Sequence, residues 1–403
     1  MVMPVSMAYF DWAATTPLCD EAAEAMRPYL IGGIENLHQG GNANSLHSLG
    51  RRAFAEMEQA RNDVAQCISC RPDELFFTCG ATESDNTAIL GIVNAVIDQH
   101  RKKGDAEFIP HIVVSSIEHE AVLKPVDCLR RQGIQVSMVR PDAAGFISED
   151  ALNQAMQPNT VLVSVMLANN EVGSIQPIGD LVRVAHERGA LFHTDAAQAF
   201  GKIPLDCHAI GVDAVSLSAH KICGPKGVGA LFLRKGTPCQ SLLVGGGQES
   251  GFRSGTQNVA GMVGFAAAAK ACAGSPKLIY MECERLGNLR DDLYAFLKGF
   301  PGVRASVPCE PGSHAYLPNI VHVTVEGMES ETMILRLDRD GVFVSGGSAC
   351  SSKSLEPSHV LVQLGMNRDR ALGALRVSMG RYTTLQDVEI FKSAFARLME
   401  WAR

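Results

Sequence analysis

Between about residue 50 and residue 235, short apolar runs alternate with stretches of helical period, and that alternation narrows the possible folds sharply. The runs are ELFFT (74–78), HIVVSS (111–116), IQVSMVR (134–140), TVLVSVML (160–167), GALFHTD (189–195), DAVSLSA (213–219) and GALFLR (229–234). Helix-patterned segments such as RRAFAEMEQARNDVAQ (51–66) and ESDNTAILGIVNAVIDQH (83–100) lie among them. Strands that are apolar along their whole length need cover on both faces, so the pattern predicts an α/β domain with a mostly parallel sheet. After about residue 275 the pattern changes. A charged helix, ERLGNLRDDLYAFLKGF (284–300), precedes strand-like NIVHVTVEG (319–327) and GVFVSG (341–346); helical stretches follow, the last over 385–402. This predicts a smaller α+β domain. With 403 residues there is chain enough for both, divided as a large domain over 18–275 and a small one from 1–17 and 276–403.

Charge and composition exclude several function classes. The 36 basic and 43 acidic residues leave a net charge of −7, which argues against nucleic acid or an anionic membrane as a partner. NVAGMVGFAAAA (258–269) is too short to span a bilayer and reads as a tightly packed helix. The first residues carry no basic run followed by an apolar stretch, so no secretory leader is expected. Twelve cysteines in a chain with 46% hydrophobic residues are read as reduced thiols of a cytoplasmic protein, since so large a core needs no disulfide framework. CISC (67–70) has no second pair at zinc spacing; two half-buried core thiols are expected there, and no metal.

In an open parallel sheet, ligands gather at the carboxyl ends of the strands. After ELFFT comes CGATES, with Thr82 as a candidate N-cap; such a helix start suits a phosphate, though an ordinary capped turn looks the same. After VLVSVML come Asn169, Asn170 and Glu171, and after ALFHT come Asp195 and Gln198. Lys221, in SAHKICGPKG, ends an apolar strand. It is either a half-buried amine able to form a Schiff base or a solvated lysine, as Lys226 is expected to be. Asp195 could hold a pyridinium nitrogen, and with a Schiff-base lysine it would supply the two main handles on pyridoxal phosphate. His119, in SSIEHEAV, is either a hydrogen-bonded surface group or a ring that stacks on a planar cofactor and relays protons. Arg376, in ALRVSMG, either pairs with an acidic residue or grips a substrate carboxylate.

Taken in order, the motifs resemble the pyridoxal-phosphate-dependent cysteine desulfurases of the NifS/IscS type, within the class V aminotransferase superfamily. The resemblance runs nearly end to end, through YFDWAATTP (9–17), GNANSLH (41–47), FTCGATESDN (77–86), EHEAV (118–122), NNEVG (169–173), HTDAAQ (193–198), SAHKICGPKGVGAL (218–231), RSGTQN (253–258), SGGSACSS (345–352), LEPSHVL (355–361) and LRVSMGRYTT (375–384). It implies the fold type I, aminotransferase-like architecture. It further implies that Lys221 is the Schiff-base lysine, Asp195 the pyridinium partner, Gln198 the partner of the ring hydroxyl, and His119 the stacked, catalytic imidazole. Ala81, Thr82, Ser218 and His220 correspond to the phosphate site, and Thr256 to a residue reaching the phosphate of a neighbouring subunit, which implies a homodimer. Asn170 and Arg376 correspond to residues that hold the substrate carboxylate, Asn170 also lying near the cofactor.

Cys350 matches the nucleophile that accepts sulfur. The implied reaction turns L-cysteine into L-alanine, leaves a persulfide on Cys350, and passes that sulfur to an acceptor protein such as an iron–sulfur scaffold. A residue with two stations needs a hinge, and Gly346-Gly347 is the expected one. The chain departs from the family pattern at Ala43, where proline is usual, and at Cys79 and Cys223. It also ends at RLMEWAR, short of the longer tail with which some members dock a scaffold. A selenocysteine lyase, or another pyridoxal-phosphate-dependent lyase or aminotransferase, is the neighbouring reading. A binding protein that keeps only the fold is the distant one, and the intact Lys221, Asp195 and Cys350 speak against it.

Overall fold

A computed structural model describes residues 7–33, 40–347 and 356–402. Its strands are β1 (Ala8–Tyr9), β2 (Leu75–Thr78), β3 (His111–Ser115), β4 (Gln135–Val139), β5 (Thr160–Ser164), β6 (Leu191–Asp195), β7 (Ala214–Ser218), β8 (Gly229–Leu233), β9 (Val303–Ala305), β10 (Ile320–Val325), β11 (Val342–Phe343) and β12 (Ala374–Ser378). The seven apolar runs all become strands of one sheet, ordered β2-β8-β7-β6-β5-β3-β4. Strands β3 to β7 pair in parallel. Only β8 runs against its neighbours β7 and β2. The reason is local: the link 219–228 is shorter than the roughly dozen residues a parallel crossover requires. Because β8 is antiparallel to both, β2 runs with the parallel set, and the carboxyl ends of β2 to β7 share one edge. Every residue of β3, β7 and β8 is buried, as two-sided cover demands, whereas β4 at the sheet's end is partly exposed.

Helix Val259–Ala273 packs on helices Asp20–Leu30 and Ser48–Cys67. Glycine is what allows the approach to the first of these, since a Cβ at Gly264 would stand 2.5 Å from Met26 Sδ; one at Gly261 would stand 2.4 Å from Val228 Cγ2, just ahead of β8. Among the described residues, no helix is long and apolar enough to cross a membrane. Cys67 and Cys70 are half-buried against the main core, and burial pushes their thiols up to about 11 and about 12. Thiols held so high are poor nucleophiles at neutral pH.

A second apolar cluster gathers Ala8 and Phe10 with residues from Leu286 to Leu398. Here β10 lies between β9 and β12, antiparallel to both, and β1 pairs in parallel with β11. Phe10 meets Phe391 edge-on at 5.4 Å, tying the chain's first described residues to the last helix, Leu385–Trp401. Three local expectations need correction. Residues beyond 346 are not helical throughout, because ALRVS forms the fully buried strand β12. GVFVSG is strand only at Val342–Phe343. The helix after β2 begins at Ala81 with Gly80 as its cap, so Thr82 sits inside the first turn and does not cap it.

Candidate active site

The carboxyl edge of the large sheet opens into a cavity of about 480 Å³. Ala81, Thr82, His119, Asn170, Asp195, Gln198, Ser218, His220, Lys221 and Arg376 all line it. Two predicted site residues are not in that wall as described: Thr256 lies away from it on exposed surface, and Cys350 falls outside the described residues.

Register explains the convergence at one end. Gly229 pairs with Thr78 on one side and with Ser218 on the other, which places the turn after β2 beside the turn after β7. A Cβ at Gly229 would lie 2.6 Å from Gly80 Cα, so only glycine lets the two turns meet. Gly80 itself has φ 152°, and a Cβ there would meet no atom within 4 Å because it would project into open space. The 22-residue helix Ala81–Lys102 thus presents its first turn to the cavity with no side-chain cap bond, an arrangement suited to an anion. Burial and the nearby Lys221 hold His220 down at about 4, so its ring is neutral; its Nδ1 lies 3.1 Å from Thr15 Oγ1.

Lys221 follows β7 in a single 3-10 turn, and its Nζ donates to the carbonyls of Ala13 and Ala14 at 2.6 and 2.8 Å. It is a held amine, not a solvated one. Asp195 ends β6, nearly buried, and accepts from the Ala197 amide at 2.8 Å. Burial, reinforced by Asp85 and only partly offset by His119 and His193, raises its carboxyl to about 7. His119 caps helix Glu120–Arg131, its Nδ1 accepting from the Ala121 amide at 3.1 Å. Burial lowers its pKa, and the neutral ring so bonded carries its proton on Nε2.

Arg376 reaches the same cavity from the middle of β12 and is 1% exposed. It donates to Asp11 Oδ1 and to the Asn170 carbonyl, each at 2.9 Å, while its buried Nε has no partner among the described residues. The acidic partner foreseen for it is therefore present, and one donor is left over.

The unexplained cysteines acquire structural surroundings. Partial burial and Glu83 push the Cys79 thiol up to about 11, so it offers no competing thiolate. Cys223 is buried at φ 63°, with its amide donating to Thr16 Oγ1 at 2.8 Å and its carbonyl accepting from the Cys19 amide at 2.9 Å; it anchors the turn after Lys221. The supposed hinge glycines are tightly packed in this conformation: a Cβ at Gly346 would stand 1.8 Å from Ser330 Oγ, and one at Gly347 3.0 Å from Glu171 Oε2. Sequence reasoning overlooked Asp11, Asp85 and Lys202. Asp85 is fully buried on the cavity wall, with His193 Nε2 3.5 Å from its Oδ1 and, among the described residues, no well-formed hydrogen bond to either carboxyl oxygen. Its only signal was an acidic residue in the opening turns of an otherwise apolar helix. The sequence signalled Lys202 only by its place four residues after Gln198.

An amine, a desolvated carboxyl, an uncapped helix start and a neutral imidazole on one wall match what pyridoxal phosphate requires of a protein: a carbonyl-binding amine, a pyridinium partner and a phosphate cradle. The residues present fit that group.

Comparison with known proteins agrees. The model of the family described as Aminotransferase class-V matches residues 8–391. The chain is 40% identical to a cysteine desulfurase IscS of Dictyoglomus turgidum, over 98% of this chain and 95% of that protein. Among solved structures, a NifS-like protein superposes with a TM-score of 0.87 at 34% identity, covering 98% of this chain and 100% of the other. SspA in complex with cysteine superposes with a TM-score of 0.75 at 32% identity, covering 94% and 100%. The chain belongs to the class-V aminotransferase family, and within it to the NifS/IscS type.

Proposed function

We propose that the protein is a pyridoxal-phosphate-dependent cysteine desulfurase that converts L-cysteine to L-alanine and leaves the sulfur as a persulfide on Cys350. The observation that carries this reading is the single cavity that gathers the Lys221 amine, the Asp195 carboxyl, the His119 imidazole and the Arg376 guanidinium. The IscS relative, and the solved structure of SspA with cysteine, support cysteine as the substrate.

Lys221 would hold the carbonyl carbon of the cofactor, Asp195 its ring nitrogen, Gln198 its ring hydroxyl, and Ala81, Thr82, Ser218 and His220 its phosphate. When bound, the group draws off the electron pair left at the substrate Cα. Arg376, with its spare Nε–H, and Asn170 orient the substrate carboxylate. Lys221 moves the proton at Cα, and His119 holds a proton on Nε2 within the same cavity. Cys350, as thiolate, attacks the substrate sulfur: an S–S bond forms, the Cβ–S bond breaks, and Cβ gains a proton. L-cysteine plus a thiol becomes L-alanine plus a persulfide, with no outside oxidant or reductant.

The same reading takes residues 18–275 as the cofactor-binding domain and 1–17 with 276–403 as the small domain. It also takes the working unit to be a cytoplasmic homodimer, with Thr256 reaching the neighbouring subunit's phosphate and an iron–sulfur scaffold among the acceptors. The test is Cys350→Ala protein incubated with pyridoxal phosphate and L-cysteine. Retained cofactor absorbance with loss of protein-bound persulfide is expected. Undiminished sulfide release would instead favour a lyase.

A further inference from the structure

A segment far along the chain closes over the start of the helix that opens onto the cavity. Arg253 meets Glu83, in the first turn of helix Ala81–Lys102, with a fork of two bonds: Nε donates to Oε1 at 2.8 Å and Nη2 to Oε2 at 3.1 Å. Glu83 Oε2 also accepts from the Cys79 amide at 2.8 Å, and both Cys79 and Glu83 line the cavity beside Ala81 and Thr82. The arginine's own segment is built into place. Just upstream, Glu249 and Ser250 stand at φ 49° and 56°, a left-handed backbone that such residues keep only where something holds them. What holds them is the buried Arg61, which grips Glu249 at 2.7 and 2.8 Å, while Glu249 Oε2 accepts from the Phe77 amide on β2 at 2.9 Å. One segment thus clasps β2 through Glu249 and the helix after it through Arg253.

The pairing matters because of where Glu83 stands. The first turn of a helix offers a single positive end, favourable to an anion. Glu83 already draws on it. Burial pushes its carboxyl up, but Arg253 and the Cys79 amide more than offset that and hold it below the usual carboxylate range. It is therefore an anion at neutral pH, on the wall that would receive a phosphate carrying a charge near −2. The other acids on that wall stand elsewhere, Asp85 deeper in the same helix and Asp195 at the end of β6. Lys221, Lys226 and Arg376 also line the cavity, but the cation bonded to Glu83 is Arg253. We propose that Arg253 is a positioning residue for the cofactor's phosphate: by pairing with Glu83 it neutralises and pins the one acid of the helix's first turn, leaving the helix start to the dianion. The proposal rests on that start being the phosphate site of the reading above. A guanidinium suits the task, since its two parallel bonds fix the plane of the carboxylate as well as cancelling its charge.

The test uses cofactor-stripped protein titrated with pyridoxal phosphate and, separately, with pyridoxal, which lacks the phosphate; binding is read from the visible absorbance that develops. Arg253→Met should weaken pyridoxal phosphate about tenfold and pyridoxal less than about twofold, because only the first brings a dianion to an unpaired Glu83. Arg253→Gln keeps a donor for Glu83 but not the charge; it should lose in the same selective way, and it stands in for a methionine variant that fails to fold. The double variant, Glu83→Gln with Arg253→Met, removes the acid as well, and its affinity for pyridoxal phosphate should return to within about threefold of the parent's. Equal weakening of both ligands would overturn the proposal, since loss of a merely structural pair does not distinguish them. Selective weakening that the double variant leaves unrestored would overturn it too, by making Arg253 a direct phosphate contact, as would no weakening at all. Failure of the parent reading shows up separately, as parent protein that develops no visible absorbance with either ligand.

Discussion

The two sheets contribute to the cavity in opposite ways. The large, mostly parallel sheet supplies groups from the ends of its strands: Asp195 closes β6, Lys221 follows β7, and His119 and Asn170 follow β3 and β5. The small antiparallel sheet supplies Arg376 from mid-strand, paired in register with His322 on β10. A strand end has a free turn in which to aim a side chain, so chemistry can be placed there at little structural cost. A charge in the middle of a buried strand must be neutralised where it stands. Arg376 is, by Asp11 and the Asn170 carbonyl, and its neighbour His322 is kept neutral, held at about 3 by burial and by Arg376 itself. On the proposed reading the strand-end groups are mainly chemical, while the mid-strand group is structural and chemical at once.

That contrast can be broken experimentally. The largest effect expected is in Lys221→Ala, whose alanine formation from L-cysteine should fall by at least ~10³-fold, the order a positioned acid or base contributes. Its thermal midpoint, measured without cofactor, should move less than that of any Arg376 variant. Next comes Arg376→Met, which leaves the Asp11 carboxylate and the Asn170 carbonyl without their donor. A loss of about 3 kcal/mol in denaturant unfolding is expected, the low end for a broken buried pair because Asp11 is partly exposed. KM for cysteine should rise as well. Unchanged stability in Arg376→Met would erase the distinction between the two sheets.

The smallest effect sharpens the picture within the large sheet. Asp85 is buried with no well-formed hydrogen bond among the described residues, and burial, only partly offset by Ser216, raises it to about 7. An acid whose folded pKa exceeds its unfolded one binds more protons when folded, so its contribution is intact below about pH 4 and is lost as pH rises through 7. Asp85→Asn removes that liability. Its thermal midpoint should exceed the parent's by ~2–4 °C at pH 8 and equal it at pH 4. An equal gain at both pH values would mean that Asp85 is not the titrating group.

Much of the site was legible before any coordinates, for a physical reason that also sets the limit. Lys221, Asp195 and His119 could be found because a short apolar run ends at a recognisable place and the next polar residue must lie near the sheet's edge. Arg376 could be found but not decided: its flanks are apolar whether it binds a substrate or an internal carboxylate, and its partner Asp11 is 365 residues away. The helix start at Ala81 was misplaced because Thr82 is the better capping residue by type, whereas contact between Gly80 and Gly229 settles where the turn ends.

The sequence alone determined the seven strands of the large sheet and the polar residues at their ends, because burial on two faces writes itself into short local patterns of apolar residues. Only the tertiary structure decided which of those residues meet. It joined Lys202 to Lys221 through Gln198 and Ala13, sealed Asp85 against the cavity wall, and set Arg376 between Asp11 and Asn170. Such contacts depend on strand register and on close packing between segments far apart in the chain, and no local pattern encodes either.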